Sequence, residues 1–134
     1  MAAFSDYLEG KIIDSTLRGQ TFPTISTIWI GLASAATTEA GTASEITGTS
    51  YARVSVSATT ANFSAHGAAG PSSNAAAITF TIAGGSWGTV SHIFIADAST
   101  AGNILYHGAL TTPKAVGTND TFQIAANDLD ITLD

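Results

Sequence analysis

The chain has 134 residues, a net charge of −6 and only 10% charged residues, and alanine, threonine, serine and glycine make up more than half of it. Its four cations are scattered rather than clustered, which argues against a nucleic-acid partner because phosphate binding needs a basic patch. Cysteine is absent, which excludes disulfides and thiolate metal sites, and no apolar run approaches the roughly 20 residues that cross a membrane.

The first predicted element is an α-helix over residues 5–18. Its apolar residues Leu8, Ile12 and Leu17 recur at helical spacing, a serine or aspartate at its start can cap it, and a glycine follows as a stop. An isolated helix of this length is marginal in water. We therefore expect its apolar stripe to dock on the domain or on a neighbouring subunit, which makes Leu8 and Ile12 candidate partner contacts.

The rest of the chain, residues 25–134, alternates apolar and polar side chains in short runs. This period of two is typical of antiparallel strands with one face in water. It predicts seven strands, or eight if the second has a partner in the loop before it, with long loops at 34–50 and 62–74. The strands are predicted at 25–33, 51–59, 76–82, 90–97, 104–109, 121–124 and 129–133. We predict one all-β domain over residues 1–134, an antiparallel β-sandwich of jelly-roll type with one N-terminal helix.

Two of these strands have inward faces that can be predicted residue by residue. Successive side chains of a strand point to opposite faces, so every second residue should enter the core. The predicted inward residues are Ile78, Phe80 and Ile82 in one strand and Leu129, Ile131 and Leu133 in the other. Acidic residues on the outer face of the last strand, such as Asp134, would discourage pairing with other chains.

Several segments carry a resemblance to a known family. They are Phe4–Glu9, Gly48–Arg53, Ser86–Val90, Gly108–Lys114, Asp120–Phe122 and the C-terminal Asp128–Asp134. Over nearly its whole length the chain resembles small virion proteins of tailed bacteriophages that are often labelled as tail-fibre or structural proteins. The resemblance implies a β-sandwich virion component, made in the host bacterial cytoplasm, with no catalytic residues to transfer.

The histidines could suggest metal binding or base catalysis, but no cysteine or carboxylate stands beside them at ligand spacing. His92 and His107 lie in the two strands of a predicted hairpin. If Asp97 pairs with Asn103, the two histidines point to opposite faces, whereas a register shifted by one residue would bring them together. No nucleophile-elbow or phosphate-binding glycine motif occurs. We expect no catalytic residue, no metal and no cofactor.

Aromatic side chains offer a further kind of partner contact. Trp87 stands in a glycine-rich turn, where an exposed indole could meet a partner. Trp87, Tyr106 and His107 together could also form an exposed platform for a sugar. These three residues complete the set of candidate contacts.

The patterns predict a non-enzymatic structural component of a phage virion that forms a homo-oligomer, most simply a trimer. Compact size without a fibrous or heptad repeat favours an outer capsid cement or decoration protein, bound to the major capsid protein or another virion protein. The alternative is a tail-fibre or baseplate β-module that binds a carbohydrate or receptor. We also expect the two long loops to be ordered mainly by sister subunits or the shell, because they hold few apolar residues.

Overall fold

A computed structural model describes residues 3–67 and 70–132, which hold one helix and nine strands. The helix α1 (Asp6–Leu17) follows the first strand. The strands are β1 (Ala3–Phe4), β2 (Thr27–Ala33), β3 (Val54–Ser57), β4 (Ser72–Ser73), β5 (Ile78–Thr79), β6 (Gly88–Ala96), β7 (Ile104–Val116), β8 (Gln123–Ile124) and β9 (Asp130–Ile131). The predicted all-β antiparallel class with one N-terminal helix is confirmed.

Five strands form the main sheet in the order β1-β7-β6-β2-β3, and all neighbours are antiparallel. At its centre Ile30 pairs with Ile95 on one side and with Val54 on the other. These side chains share one face, which packs against the two small ladders β4-β9 and β5-β8 in a single core. The buried residues that come from in or beside the ladders are Ile78, Phe80, Phe122, Ile124 and Leu129.

The opposite face of the main sheet is covered in part by the segment that follows β2. Phe94 of β6 is fully buried there with Ala33 and Ile104, and Ala43 of the segment packs against them. Gly31 lies beneath the Phe94 ring, where a Cβ would come within 2.2 Å of the ring. The centre of the sheet is therefore packed on both faces.

Described residues of the loops predicted at 34–50 and 62–74 form hydrogen bonds within their own protomer. In the first loop the Ile46 N–H donates to the Leu32 carbonyl at 3.0 Å, and the Ile46 side chain is buried. In the second, the buried side chain of Asn74 makes three hydrogen bonds to backbone groups. Internal hydrogen bonds thus hold residues of both loops, and contacts with sister subunits or the shell stay a prediction.

Helix α1 docks on the sheet through one face. Leu8 is buried, and Ile12 packs against the same core, as the predicted stripe requires. Leu17 is instead 80% exposed. At about 100° per residue, Leu17 lies on the opposite side of the helix from Leu8, so including it in the stripe was wrong. No helix in the described part of the chain is long and apolar enough to span a membrane.

Ser5 caps α1 and joins it to the main sheet. Its Oγ accepts a hydrogen bond from the Leu8 N–H at 3.3 Å and donates one to the Ile104 carbonyl. We expect Ser5→Ala to lower the free energy of unfolding by about 1–2 kcal/mol, because the cap is lost and a buried carbonyl loses its donor. In Thr16→Ala, which removes an exposed hydroxyl, the loss should stay below about 0.5 kcal/mol. Equal losses in urea unfolding would contradict this role of Ser5.

The strand predicted at 76–82 is shorter than its alternation indicated. Ile78 and Phe80 are buried as predicted, but Ile82 is 58% exposed. Regular pairing ends one residue after Ile78, and the chain then turns so that Ala83 enters the core instead of Ile82.

The last predicted strand, 129–133, is represented by β9. Leu129 is buried and Ile131 is half-buried, in agreement with their predicted inward direction. β9 pairs with β4 and so completes one of the small ladders. Leu133 and Asp134 lie outside the described residues.

Candidate functional site

Trp87, which was predicted to contact a partner, is a core residue. Its side chain is buried, its Nε1–H donates to the Thr49 carbonyl at 2.8 Å, and its ring meets the Tyr51 ring edge-on at 5.4 Å between centroids. A Cβ at Gly48 would come within 2.1 Å of the indole, so this close approach requires glycine. The indole anchors the turn from inside and is not exposed to a partner.

The other predicted contacts do not form one surface. Leu8 is buried beneath α1, and Ile12 is half-buried beside it. Tyr106 and His107 are adjacent on β7, so their side chains point to opposite faces of the sheet. Burial raises the pKa of Tyr106. With Trp87 in the core, the predicted three-residue platform does not exist in this fold.

A β-bulge places His92 and His107 on the same face of the main sheet. The β6-β7 register shifts between Ile95 and Ala96, and Leu105 is the extra residue on β7. In the pairs from His92–Ala109 to Ile95–Tyr106, the two residue numbers add up to an odd value. In this register His92 and His107 point to the same face of the sheet. The predicted register is therefore wrong for these residues, and its alternative, the register shifted by one, is the one observed.

Both histidines line a cavity of about 440 Å³, which we call the histidine cavity. β1, α1, the segment after β2, and strands β6 and β7 all contribute to its walls. The side chains with chemical relevance are those of Glu9, Thr37, Glu39, His92 and His107. The Asp6 N–H at the start of α1 donates to the Glu39 carbonyl at 2.8 Å, which fixes the segment after β2 beside the helix.

Each histidine uses one ring nitrogen within the protein. His107 Nε2 lies 3.2 Å from the Phe4 carbonyl oxygen, which can only accept, so this nitrogen donates. His92 Nδ1 lies 2.7 Å from Ser91 Oγ. The second ring nitrogen of each histidine has no hydrogen-bond partner among the residues that the structure describes.

Two threonine hydroxyls in the wall of the histidine cavity are also unpaired. Thr37 is 7% exposed, and neither its hydroxyl nor that of Thr132 has a hydrogen-bond partner within residues 3–67 and 70–132. An unsatisfied buried hydroxyl costs about 1–3 kcal/mol and is rare in native proteins. The cavity wall therefore holds polar groups that the fold itself does not satisfy.

The acidic side chains of the histidine cavity stand at its exposed rim. Glu9 and Glu39 are both exposed, and no Lys or Arg lines the cavity in the described part of the chain. No group of three His, Cys, Asp or Glu side chains in that part is placed to hold a metal ion. The cavity can thus offer hydrogen bonds and negative charge to a ligand.

A second polar centre surrounds Arg53. Its guanidinium forms a two-pronged ion pair with the Glu45 carboxylate, with both N–O distances at 2.8 Å, and donates to the carbonyls of Ala98 and Ala101. The Arg53 side chain is 6% exposed and lies against the Phe94 ring. These bonds connect the residue before β3, the segment after β2 and the β6-β7 turn. Arg53 donates four hydrogen bonds to groups within the fold, so we interpret this centre as structural.

Tyr51 extends the polar centre around Arg53. Its hydroxyl donates to Glu45 Oε1 and accepts from the Leu32 N–H, each at 2.9 Å. Burial raises the pKa of Tyr51 far above its ordinary value, and the negative charge of Glu45 raises it further. The folded protein therefore retains the Tyr51 proton at a pH where an unfolded chain would lose it.

This retention predicts a loss of stability at alkaline pH. Because the folded pKa of Tyr51 is raised, its contribution is complete below the unfolded pKa of about 10 and declines as the pH rises above it. Urea unfolding between about pH 9 and pH 11 should show a falling free energy of unfolding. Tyr51→Phe should be less stable at pH 9 but show a shallower decline. An identical decline in both proteins would contradict this assignment.

No sequence pattern marks Glu9, Thr37 or Glu39 as part of a site. Glu9 lies on the polar side of a helix, and the other two lie in a polar loop with no distinguishing motif. They meet the histidines only because that loop folds back on the sheet and α1. No local signal in the sequence could have shown this convergence.

Comparison with known proteins gives a family relationship. A sequence model of the family described as "Podophage GP4 fiber I protein gp80" matches residues 3–132. The match includes the main sheet, α1, the residues named at the histidine cavity and the Arg53 centre. Among curated proteins, none matches the chain.

Proposed function

Because the chain belongs to the podophage GP4 fiber I protein gp80 family, we propose that it is a non-enzymatic subunit of a phage tail fibre. Membership makes the chain a structural component of a tailed-phage virion, which confirms the resemblance to such proteins found in the sequence. The position in a fibre is our proposal. The family match over residues 3–132, to a family described by a fibre protein, is the observation that carries it.

The internal construction of the protein supports a mechanical role. The centre of the main sheet is packed on both faces, and Arg53 links three separate segments through four hydrogen bonds. Interiors packed in this way deform little and transmit strain. A rigid body of this kind suits a structural subunit of a fibre.

Self-association is the second part of the proposal. Ile13 and Leu17 are 52% and 80% exposed, and their spacing of four residues places them side by side on the outer face of α1. Covering such apolar surface is favourable at about 25 cal/mol per Å². We propose a homo-oligomer, most simply a trimer, in which this outer face contributes to the contact, with further contacts to other virion proteins.

Sedimentation of the purified protein tests self-association. We expect an oligomer whose proportion rises over about a hundredfold range of concentration, with a parallel rise in melting temperature. The double variant Ile13→Ser, Leu17→Ser should shift the equilibrium to monomer. Thr16→Ser on the same helix should leave it unchanged. A monomer throughout the concentration range would contradict the proposed oligomer.

An outer capsid cement protein remains a second candidate. One observation favours it: the sequence contains no heptad or fibrous repeat of the kind that builds a long shaft. In that role the same oligomer would contact the major capsid protein. Binding of the purified protein to heads that lack it, measured by co-sedimentation, would support the cement role over the fibre role.

A further inference from the structure

The histidine cavity has a charge balance that selects among ligands. Glu9 and Glu39 stand at its rim, and in the described part of the chain no Lys or Arg lines it to offset them. Phosphates, sulfates and carboxylates would be repelled. No three potential metal ligands converge among the described residues, so a coordinated metal ion is not supported either. A ligand without negative charge is the best match.

The hydrogen-bonding groups of the cavity narrow the ligand further. His92 and His107 each retain one unpaired ring nitrogen, and the buried Thr37 hydroxyl has no partner in the described residues. The rim carboxylates only accept hydrogen bonds, whereas a threonine hydroxyl both donates and accepts. A set of this kind pairs best with a ligand whose own groups both donate and accept. Sugar hydroxyls have this property.

The size and the apolar part of the cavity agree with this chemistry. Its volume of about 440 Å³ lies in the range of small-molecule sites, roughly 300–1,000 Å³. Ala3 and Ala109 pair with His107 and His92 and so lie on the same face of the sheet, where their methyl groups supply apolar surface for the C–H face of a sugar ring. We propose that the histidine cavity binds a neutral saccharide of one or two rings, an activity that does not depend on the proposed fibre role.

Two-dimensional amide NMR of the complete chain during sugar titrations tests this proposal. The probes are glucose, galactose, methyl galactoside and lactose, where the glycoside imitates the end of a longer glycan. We expect at least one probe to produce saturable shifts centred on Thr37, Glu39, His92 and His107. Sulfate, zinc and spermidine serve as probes of the competing ligand classes.

Two comparisons between variants separate an effect on sugar binding from an effect on folding. Ala109 and Ala115 are both exposed on β7, but only Ala109 lines the cavity. Ala109→Trp should weaken sugar binding by about tenfold or more, whereas Ala115→Trp should leave it unchanged. Thr37→Val removes an unpaired hydroxyl, so it should weaken binding severalfold relative to the unmodified chain without lowering the melting temperature.

Saturable sugar shifts that Ala109→Trp abolishes and Ala115→Trp preserves would support the site. The proposal is overturned if no sugar produces saturable shifts, if the shifts lie away from the cavity, or if only zinc, sulfate or spermidine binds there. Sedimentation of the same samples reports on assembly separately, so failure of sugar binding leaves the proposed fibre role intact.

Discussion

Arg53→Ala is expected to lower the free energy of unfolding by about 3–5 kcal/mol, because removing one partner leaves a partly buried charge without compensation. The charge left without its partner is the Glu45 carboxylate, and the carbonyls of Ala98 and Ala101 lose their hydrogen-bond donor as well. Ala101 has a φ of +50°, which L-residues rarely adopt, so the turn depends on outside support. Urea unfolding followed by tryptophan fluorescence measures the loss.

Arg18 provides a matched control because it makes another arginine–carboxylate pair, with Asp14 at 2.6 Å. The Arg18 side chain is 68% exposed, and exposed pairs contribute about 0–1 kcal/mol. Arg18→Ala should therefore have little effect. Arg53→Lys should recover only part of the loss, since lysine cannot form the two-pronged contact. If the two alanine variants lost equal stability, the Arg53 centre would not be what holds these segments together.

Phe80→Ala is expected to lower the free energy of unfolding by about 3–5 kcal/mol, as large-to-small changes of buried aromatics do. The Phe80 ring is 2% exposed and lies between Phe122, edge-on at 5.7 Å, and Tyr51, stacked at 6.4 Å. It therefore joins the β5-β8 ladder to the segment that precedes β3. Removing it opens a cavity between the two layers of the fold. The loss is measured by urea unfolding.

The neighbouring residue is the control for this substitution. Thr79 is exposed, and its hydroxyl accepts a hydrogen bond from Gln123 across the ladder. Thr79→Asp should cost less than about 1 kcal/mol. Should it prove as damaging as Phe80→Ala, the ladder would have to be covered on both faces, and the layer arrangement described above would be incorrect.

The long strands of the main sheet could be predicted because alternation persists over many residues. β2 at Thr27–Ala33 and β6 at Gly88–Ala96 fall close to the predicted 25–33 and 90–97. The two-residue strands of the small ladders could be placed only roughly, since a period of two needs several residues to be recognised.

β7 shows why an end of a strand is hard to predict. The strand was predicted to end at Ala109, but it continues to Val116 through Pro113. Proline argues against a regular strand because it has no N–H to donate. Here Pro113 falls where the β6-β7 register is interrupted, between the pairs His92–Ala109 and Val90–Lys114, so no regular ladder bond is lost.

The histidine cavity depends on the least predictable features of the chain. The bulge at Leu105 reverses the phase of β7 relative to β6, and alternation within either strand contains no information about it. Thr37 and Glu39 reach the cavity through a loop whose position follows from hydrogen bonds to β2 and α1. Both histidines could be identified from the sequence, but the fact that they share a site could not.

Immunogold electron microscopy of intact virions, with antibodies raised against this chain, tests the proposed fibre role most directly. We expect the gold label to lie on fibres attached to the tail and to be absent from the head. A regular distribution of label over the faces of the head would contradict the fibre role and favour the cement protein.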